Sequence, residues 1–130
     1  MIVLDASALV DVVLGHPDSA WSLDRMGAED VCAPAHQMAE VLSALARLRR
    51  AGVIDRAGAM TALAEAAAFP QEVLAPTERH LHRALELSER IRVLDGLYVA
   101  LAEERSCPLV TTDRRLAHSG APCEVLAPPS

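Results

Sequence analysis

Ile2-Val3-Leu4-Asp5 and Leu109-Val110-Thr111-Thr112-Asp113 share one grammar: a short aliphatic, β-branched run that stops at an aspartate. Runs of this kind read as strands buried on both faces of a sheet. Each is followed at once by helix-compatible sequence, Ala6-Ser7-Ala8-Leu9-Val10 in the first case and Arg114-Arg115-Leu116-Ala117 in the second. In a parallel sheet the carboxyl ends of the strands share one edge, and ligand sites lie along it. Two acids far apart in sequence can therefore meet at one place.

Outward from these runs, residues 7–14 predict a helix that stops at Gly15-His16-Pro17. Asp18 or Ser19 caps a second short helix carrying Trp21, Leu23 and Met26, and residues 30–34 read as the next strand. Residues 35–51 predict a helix with Met38, Val41, Leu42, Leu45 and Leu48 on one face. Arg47, Arg49 and Arg50 crowd its last turn, where cations suit the helix dipole. A further helix opens at Asp55, with Met60, Leu63 and Ala67 along one side, and stops at Phe69-Pro70. Glu72-Val73-Leu74 is a third strand. Thr77 caps a helix whose inner stripe is Leu81, Ala84, Leu85, Ser88 and Ile91. Another helix runs over 96–104 behind Asp95, with Leu97, Ala100 and Leu101 inward. Glu124-Val125-Leu126 closes the sheet, and residues 126–130 read as a frayed tail. Strands separated by helices imply right-handed crossovers, hence an α/β fold of three layers, α/β/α, on a mainly parallel sheet of about four to five strands. There is no internal repeat and no linker, so 1–130 reads as a single domain of ordinary size.

Although 52% of residues are apolar, the chain has one Phe, one Tyr and one Trp, so its core must be built from Ala, Leu and Val. There is no lysine, and every fixed positive charge is an arginine, whose fork suits carboxylate or phosphate. The net charge of −6 argues against a nonspecific nucleic-acid coat protein. It leaves a nuclease open, because local arginine patches can still hold a phosphate backbone. Cys32, Cys107 and Cys123 are odd in number with no C-x-x-C pair, and read as free thiols of a reducing cytoplasm. No basic leader and no long apolar segment is present, so neither a signal peptide nor a membrane span is expected.

Two more acids interrupt apolar helix faces. Glu40 lies between Met38 and Val41, and Asp95 lies between Val93-Leu94 and Gly96-Leu97-Tyr98-Val99. Carboxylates are almost never buried without a partner. Four of them together repel strongly unless a cation sits between them. Mg²⁺ and Mn²⁺ prefer oxygen ligands, and such a centre can activate water and neutralise a phosphate under attack. Taken singly, each acid has a plainer reading. Asp5 and Asp95 could be helix N-caps, Asp113 could be a turn acid paired with Arg114 or Arg115, and Glu40 could face solvent. The histidines add little: His80 and His82 are two apart and diverge on a helix, while His36 and Glu40 could share a face but lack a third zinc ligand.

The ordered segments Ile2-Val3-Leu4-Asp5-Ala6-Ser7-Ala8-Leu9, Ala39-Glu40-Val41, Leu94-Asp95-Gly96-Leu97-Tyr98-Val99-Ala100-Leu101-Ala102 and Leu109-Val110-Thr111-Thr112-Asp113-Arg114-Arg115-Leu116 together resemble the PIN-domain family. They look most like the small VapC-type toxins of VapBC toxin–antitoxin pairs. The resemblance implies a PIN-like fold and a Mg²⁺- or Mn²⁺-dependent endoribonuclease with Asp5, Glu40, Asp95 and Asp113 as catalytic, metal-binding acids. It further implies a metal-activated water that attacks an RNA phosphodiester, an antitoxin partner, and a homodimer or a hetero-oligomer with the antitoxin. Ser7, Thr111 and Thr112 match small hydroxyl positions that support the site, although capping and strand-end roles explain them as well. Gly96 departs from the alanine common in the family and loosens the start of its helix by up to about 1 kcal/mol. Arg47, Arg50, Arg114 and Arg115 are candidate contacts to RNA or to an acidic partner. The lack of an aromatic patch argues against base stacking as the main mode of RNA recognition.

The competing reading is a noncatalytic α/β interaction module whose acids are caps and surface charges. An aspartyl phosphatase of the haloacid dehalogenase type wants a second Asp two residues after the first, where this chain has Ser7. No glycine-rich phosphate loop is present in a chain without lysine.

Overall fold

The computed structural model describes residues 1–129. In chain order the elements are β1 (Ile2–Leu4), α1 (Ala6–Leu14), α2 (Ser19–Met26), β2 (Val31–Pro34), α3 (Gln37–Arg50), α4 (Arg56–Ala67), β3 (Glu72–Leu74), α5 (Glu78–Glu86), α6 (Val93–Arg105), β4 (Leu109–Val110), α7 (Arg114–Ala117) and β5 (Val125–Leu126). All four pairings are parallel, and the strands lie in the order β3-β2-β1-β4-β5. The chain moves outward from β1 to β3, then returns to the far side of β1 to build β4 and β5. The reversal puts the topological switch point between the carboxyl ends of β1 and β4, where open parallel sheets bind ligands.

Helices cover both faces, completing three layers. Ile2 and Leu4 join Val110, Leu9, Val41 and Leu45 in one core, while Val3 joins Cys32, Leu109, Tyr98 and Leu101 in the other. Alternate side chains of one strand thus serve opposite cores. This is why β1 is apolar at every position rather than at every second one.

On the second face, α5 crosses α6 at unusually small residues. A Cβ at Gly96 would lie 3.0 Å from the Ala84 Cα and 3.1 Å from its Cβ. Gly96 is therefore a packing requirement, and the loosening expected of it is offset by the close crossing it permits. The same crossing turns α5 away from the expected stripe. His80 and Ala84 face inward, with Leu87 and Ile91 beyond the helix, whereas Leu81 and Leu85 are 51% and 70% exposed and Ser88 is exposed. Leu42 and Met60 are likewise exposed, because Val41, Leu45, Ala62 and Ala66 take the inward positions; Ala67 is exposed too. Helix α6 starts at Val93, so Asp95 stands in its first turn and not ahead of it.

The segment expected to fray is anchored over its described part. Leu126 belongs to β5, Pro128 is buried, and the Pro129 carbonyl accepts a 3.1 Å hydrogen bond from Arg114; Ser130 lies outside the described residues. The three cysteines are free, Cys32 buried and the others half-buried. Among the described residues no helix is long and apolar enough to cross a membrane.

Candidate active site

Asp5 ends β1 at the switch point and is buried, only 5% exposed. It holds the N-cap position of α1 but makes no capping hydrogen bond with its side chain, so the carboxylate is free for other partners. One oxygen, Oδ2, accepts hydrogen bonds from Thr111 Oγ1 at 2.6 Å and Ser7 Oγ at 2.7 Å. These hydroxyls are themselves aimed by the backbone. The Asp113 N–H donates to Thr111 Oγ1 at 3.0 Å, and the Thr112 N–H donates to Ser7 Oγ at 3.1 Å. Each hydroxyl accepts from a peptide and has one proton to give, and both protons go to Asp5. Thr112 contributes its backbone, not its hydroxyl. Burial raises the Asp5 pKa above the usual carboxylate range, and the hydrogen bonds from Thr111 and Ser7 oppose that rise.

Glu40, in the first turn of α3, is tied to the opposite face of the sheet's core. Tyr98 of α6 donates its hydroxyl to Glu40 Oε1 at 2.7 Å and accepts the Ala6 N–H at 3.3 Å. The His36 ring lies 4.8 Å from the Tyr98 ring, and its Nε2 is 3.4 Å from the same Glu40 oxygen without hydrogen-bond alignment. Burial lowers the His36 pKa, against the pull of Glu40, so the imidazole is biased toward its neutral form.

Asp95 completes the set from α6. Burial pushes its pKa up to about 7, and Asp5, Glu40 and Asp113 reinforce the rise, with Arg92 opposing it. All four acids line one cleft of ≈ 420 Å³, together with Ser7, Asp11, His16, Arg47, Arg92 and Arg115. Asp113 differs from the other three. It caps α7 by accepting from the Arg115 N–H at 3.0 Å, and its Oδ2 lies 3.3 Å from the Arg115 guanidinium. The turn-acid reading of Asp113 thus describes its present contacts.

The cleft brings together Asp5, Ser7, Glu40, Asp95, Asp113, Arg47 and Arg115, with Thr111 and Thr112 behind Asp5. It leaves out two expected residues: Arg50 is exposed at the end of α3, and Arg114 is bound to the Pro129 carbonyl. Four contributors were not anticipated. Tyr98 follows Asp95 by one helical turn, and Arg92 precedes it by one, so both spacings carried a signal. His16 sits beside Asp11, its Nδ1 3.1 Å from Oδ1. Among the described residues no three His, Cys, Asp or Glu side chains already converge as a metal-binding group. With Asp113 turned to Arg115 and Glu40 to Tyr98, the acids surround the cleft without closing on one point.

The fold and cleft define an α/β protein with an acid-lined cleft at its switch point. The chain belongs to the PIN-domain family, whose profile matches residues 2–121. It is 39% identical to Ribonuclease VapC3 of Mycobacterium tuberculosis over 124 residues, covering 91% of this chain and 86% of the relative. Two solved structures share the fold at lower identity. A toxin–antitoxin complex from Klebsiella pneumoniae aligns with TM-score 0.69 at 15% identity, over 97% of this chain and 96% of the other. VapC20 of Mycobacterium tuberculosis, described as a sarcin-ricin loop cleaving toxin, aligns with TM-score 0.68 at 19% identity, over 93% and 96%.

Proposed function

We propose that this protein is a Mg²⁺- or Mn²⁺-dependent endoribonuclease, the toxin of a type II toxin–antitoxin pair, with Asp5, Glu40, Asp95 and Asp113 as its acidic centre. The observation that carries the reading is the gathering of these four carboxylates in one cleft at the sheet's switch point. The similarity to Ribonuclease VapC3 supports the substrate class, and the fold shared with a toxin–antitoxin complex supports an antitoxin partner. The toxin acts in the cytoplasm as one domain, as a homodimer or as a hetero-oligomer with its antitoxin.

The donor set suits a hard divalent cation. It offers carboxylate oxygens alone, and burial, reinforced by Asp5, Glu40 and Asp113 and opposed by Arg92, raises the Asp95 pKa. Asp5, Glu40 and Asp95 would hold the cation, with Asp113 joining once Arg115 releases it. A bound divalent cation supplies charge neutralisation at the scissile phosphate and a more acidic water. The chain's own residues do the positioning. Ser7 and Thr111 fix Asp5 Oδ2, Tyr98 fixes Glu40, and Arg47, Arg92 and Arg115 on the rim offer guanidinium forks to the flanking phosphates. Among the described residues no Phe, Tyr or Trp side chain lines the cleft, which favours a grip on the RNA backbone over stacked bases. The test compares wild type and Asp5→Asn on a structured RNA with Mg²⁺ or Mn²⁺. Wild type should cut and leave 5′-phosphate ends; equal cutting by both proteins overturns the proposal.

A further inference from the structure

We infer that Tyr98 is a positioning residue of the acidic cleft: it engages one oxygen of Glu40 so that the other alone is left for a cation. The inference rests on the acid-cluster reading above. Tyr98 is the only tyrosine in the chain and is fully buried. It stands one turn after Asp95 on α6, on the same helix face. Its hydroxyl donates to Glu40 Oε1 at 2.7 Å and accepts from the N–H of Ala6, the residue directly after Asp5, at 3.3 Å. One phenol oxygen therefore joins the three segments that carry Asp5, Glu40 and Asp95. No protein hydrogen bond among the described residues reaches Glu40 Oε2.

The chemistry of a phenol suits this task. It ends a rigid ring with few rotatable bonds, and the tilted His36 ring closes one side of it. A phenylalanine would fill the same volume and leave Glu40 free to turn. If Tyr98 were only a core filler, that exchange would leave the cleft untouched. Partners that orient metal-binding carboxylates change affinity by about 10–100-fold when removed.

The experiment titrates Mn²⁺ calorimetrically into wild type, Tyr98→Phe, Glu40→Gln and the double variant, each checked by thermal melting. Tyr98→Phe should weaken Mn²⁺ binding by about tenfold, and the double variant should bind no more weakly than Glu40→Gln alone. Equal affinity of wild type and Tyr98→Phe overturns the inference and leaves the nuclease reading standing. So does full additivity in the double variant, which would mean that Tyr98 acts through the fold and not through Glu40. A folded wild type that binds no Mn²⁺ overturns the acid-cluster reading and the inference with it. The sole tyrosine gives a second readout should Tyr98→Phe fail to fold. Mg²⁺ should shift the near-ultraviolet phenol band of the wild type and leave that of Glu40→Gln unmoved; an unmoved band in the wild type overturns the role.

Discussion

Two clefts in this molecule are lined by acids, four in one and five in the other, and they handle the charge differently. The larger, ≈ 570 Å³, lies along α5 and α6 and is lined by Glu78, Glu86, Glu103 and Glu104. There each acid has a basic side chain within 4.0 Å: Arg83 grips Glu103 at 2.9 and 3.2 Å and approaches Glu86, His80 lies 3.0 Å from Glu104, and His82 lies 3.6 Å from Glu78. In the smaller cleft at the switch point, Asp5 and Glu40 accept side-chain hydrogen bonds from the neutral hydroxyls of Ser7, Thr111 and Tyr98; His36 lies 3.4 Å from Glu40 without hydrogen-bond alignment, His16 lies 3.1 Å from Asp11, and Asp113 is paired with Arg115. Hydroxyls orient a carboxylate without cancelling its charge. In the function proposed above, it is the acids oriented by hydroxyls that a cation would complete.

The largest expected effects separate the two clefts by activity. Asp5→Asn should lower the cleavage rate of a structured RNA by about a thousandfold, equivalent to roughly 4 kcal/mol. Glu104→Gln, in the larger cleft, should leave the rate unchanged, and a comparable loss there would collapse the distinction. Next comes Thr111→Val, which keeps the shape, removes one hydroxyl from Asp5 and deprives the Asp113 N–H of its acceptor. Its expected cost is about tenfold in the metal-saturated rate. A rate equal to wild type would reduce the hydroxyls to ordinary strand-end satisfaction.

How much of this was legible in the sequence follows from what each residue needed. Asp5 was readable because an acid directly after a three-residue apolar run has few structural excuses, and the strand–helix alternation supplied the parallel sheet. Tyr98 was not, because its partner Glu40 is 58 positions away and a tyrosine inside an apolar helical run reads as core. The inner face of α5 was missed for a related reason. Leucine spacing competed with a stripe of His80 and Ala84, and what decided between them was Gly96 on another helix. Glycine's low helix propensity is local and visible, whereas the close approach it permits is not. Asp113 shows the limit from the other side: its strand-end pattern was clear, yet its contacts are those of a helix cap.

Gly96→Ala tests α6, the helix that supplies Asp95 to one cleft and Glu103 and Glu104 to the other, since Gly96 meets α5 while following Asp95. The added methyl would sit 3.0–3.3 Å from the backbone and Cβ of Ala84, so α5 and α6 must part. Overpacking of this kind costs about 1–3 kcal/mol, which chemical denaturation should read as a lower midpoint, with partial recovery in Gly96→Ala combined with Ala84→Gly. A fully stable Gly96→Ala would return the glycine to the status of a family departure without structural consequence.

Asp95 distinguishes the clefts by the sign of a pH dependence. Its pKa of about 7 in the folded chain stands above the ordinary 3.8, so between those values the folded state holds a proton the unfolded chain has lost. That contribution to stability is complete below about pH 4 and disappears as pH rises through 7. Metal-free protein should therefore melt at a lower temperature at pH 7.5 than at pH 5.5. Asp95→Asn should flatten this slope and raise the melting temperature at pH 7.5 by roughly 3–8 °C, or about 1 kcal/mol after allowing for solvent screening. Mn²⁺ should raise the wild-type melting temperature at pH 7.5 and do little for Asp95→Asn. A wild type whose stability increases across this range without metal would remove the repulsion on which the comparison depends.

Glu103→Gln gives the smallest expected effect and closes the comparison from the other cleft. It removes the best-aligned ion pair on α5 and α6, the two-point grip of Arg83. That pair is open to solvent, with the Arg83 side chain 36% exposed and Glu103 29%, so its attraction is weakened by water and salt. Arg83 also keeps Glu86 at 4.0 Å as a substitute partner. The variant should melt with wild type in moderate salt, respond to Mn²⁺ as wild type does, and cut RNA at the wild-type rate. The contrast with Asp95→Asn is one of context, since both changes replace an acid by its amide. In one cleft that loss unpairs an arginine that has a second acid at hand; in the other it removes an acid whose repulsion by Asp5, Glu40 and Asp113 is opposed by Arg92 alone.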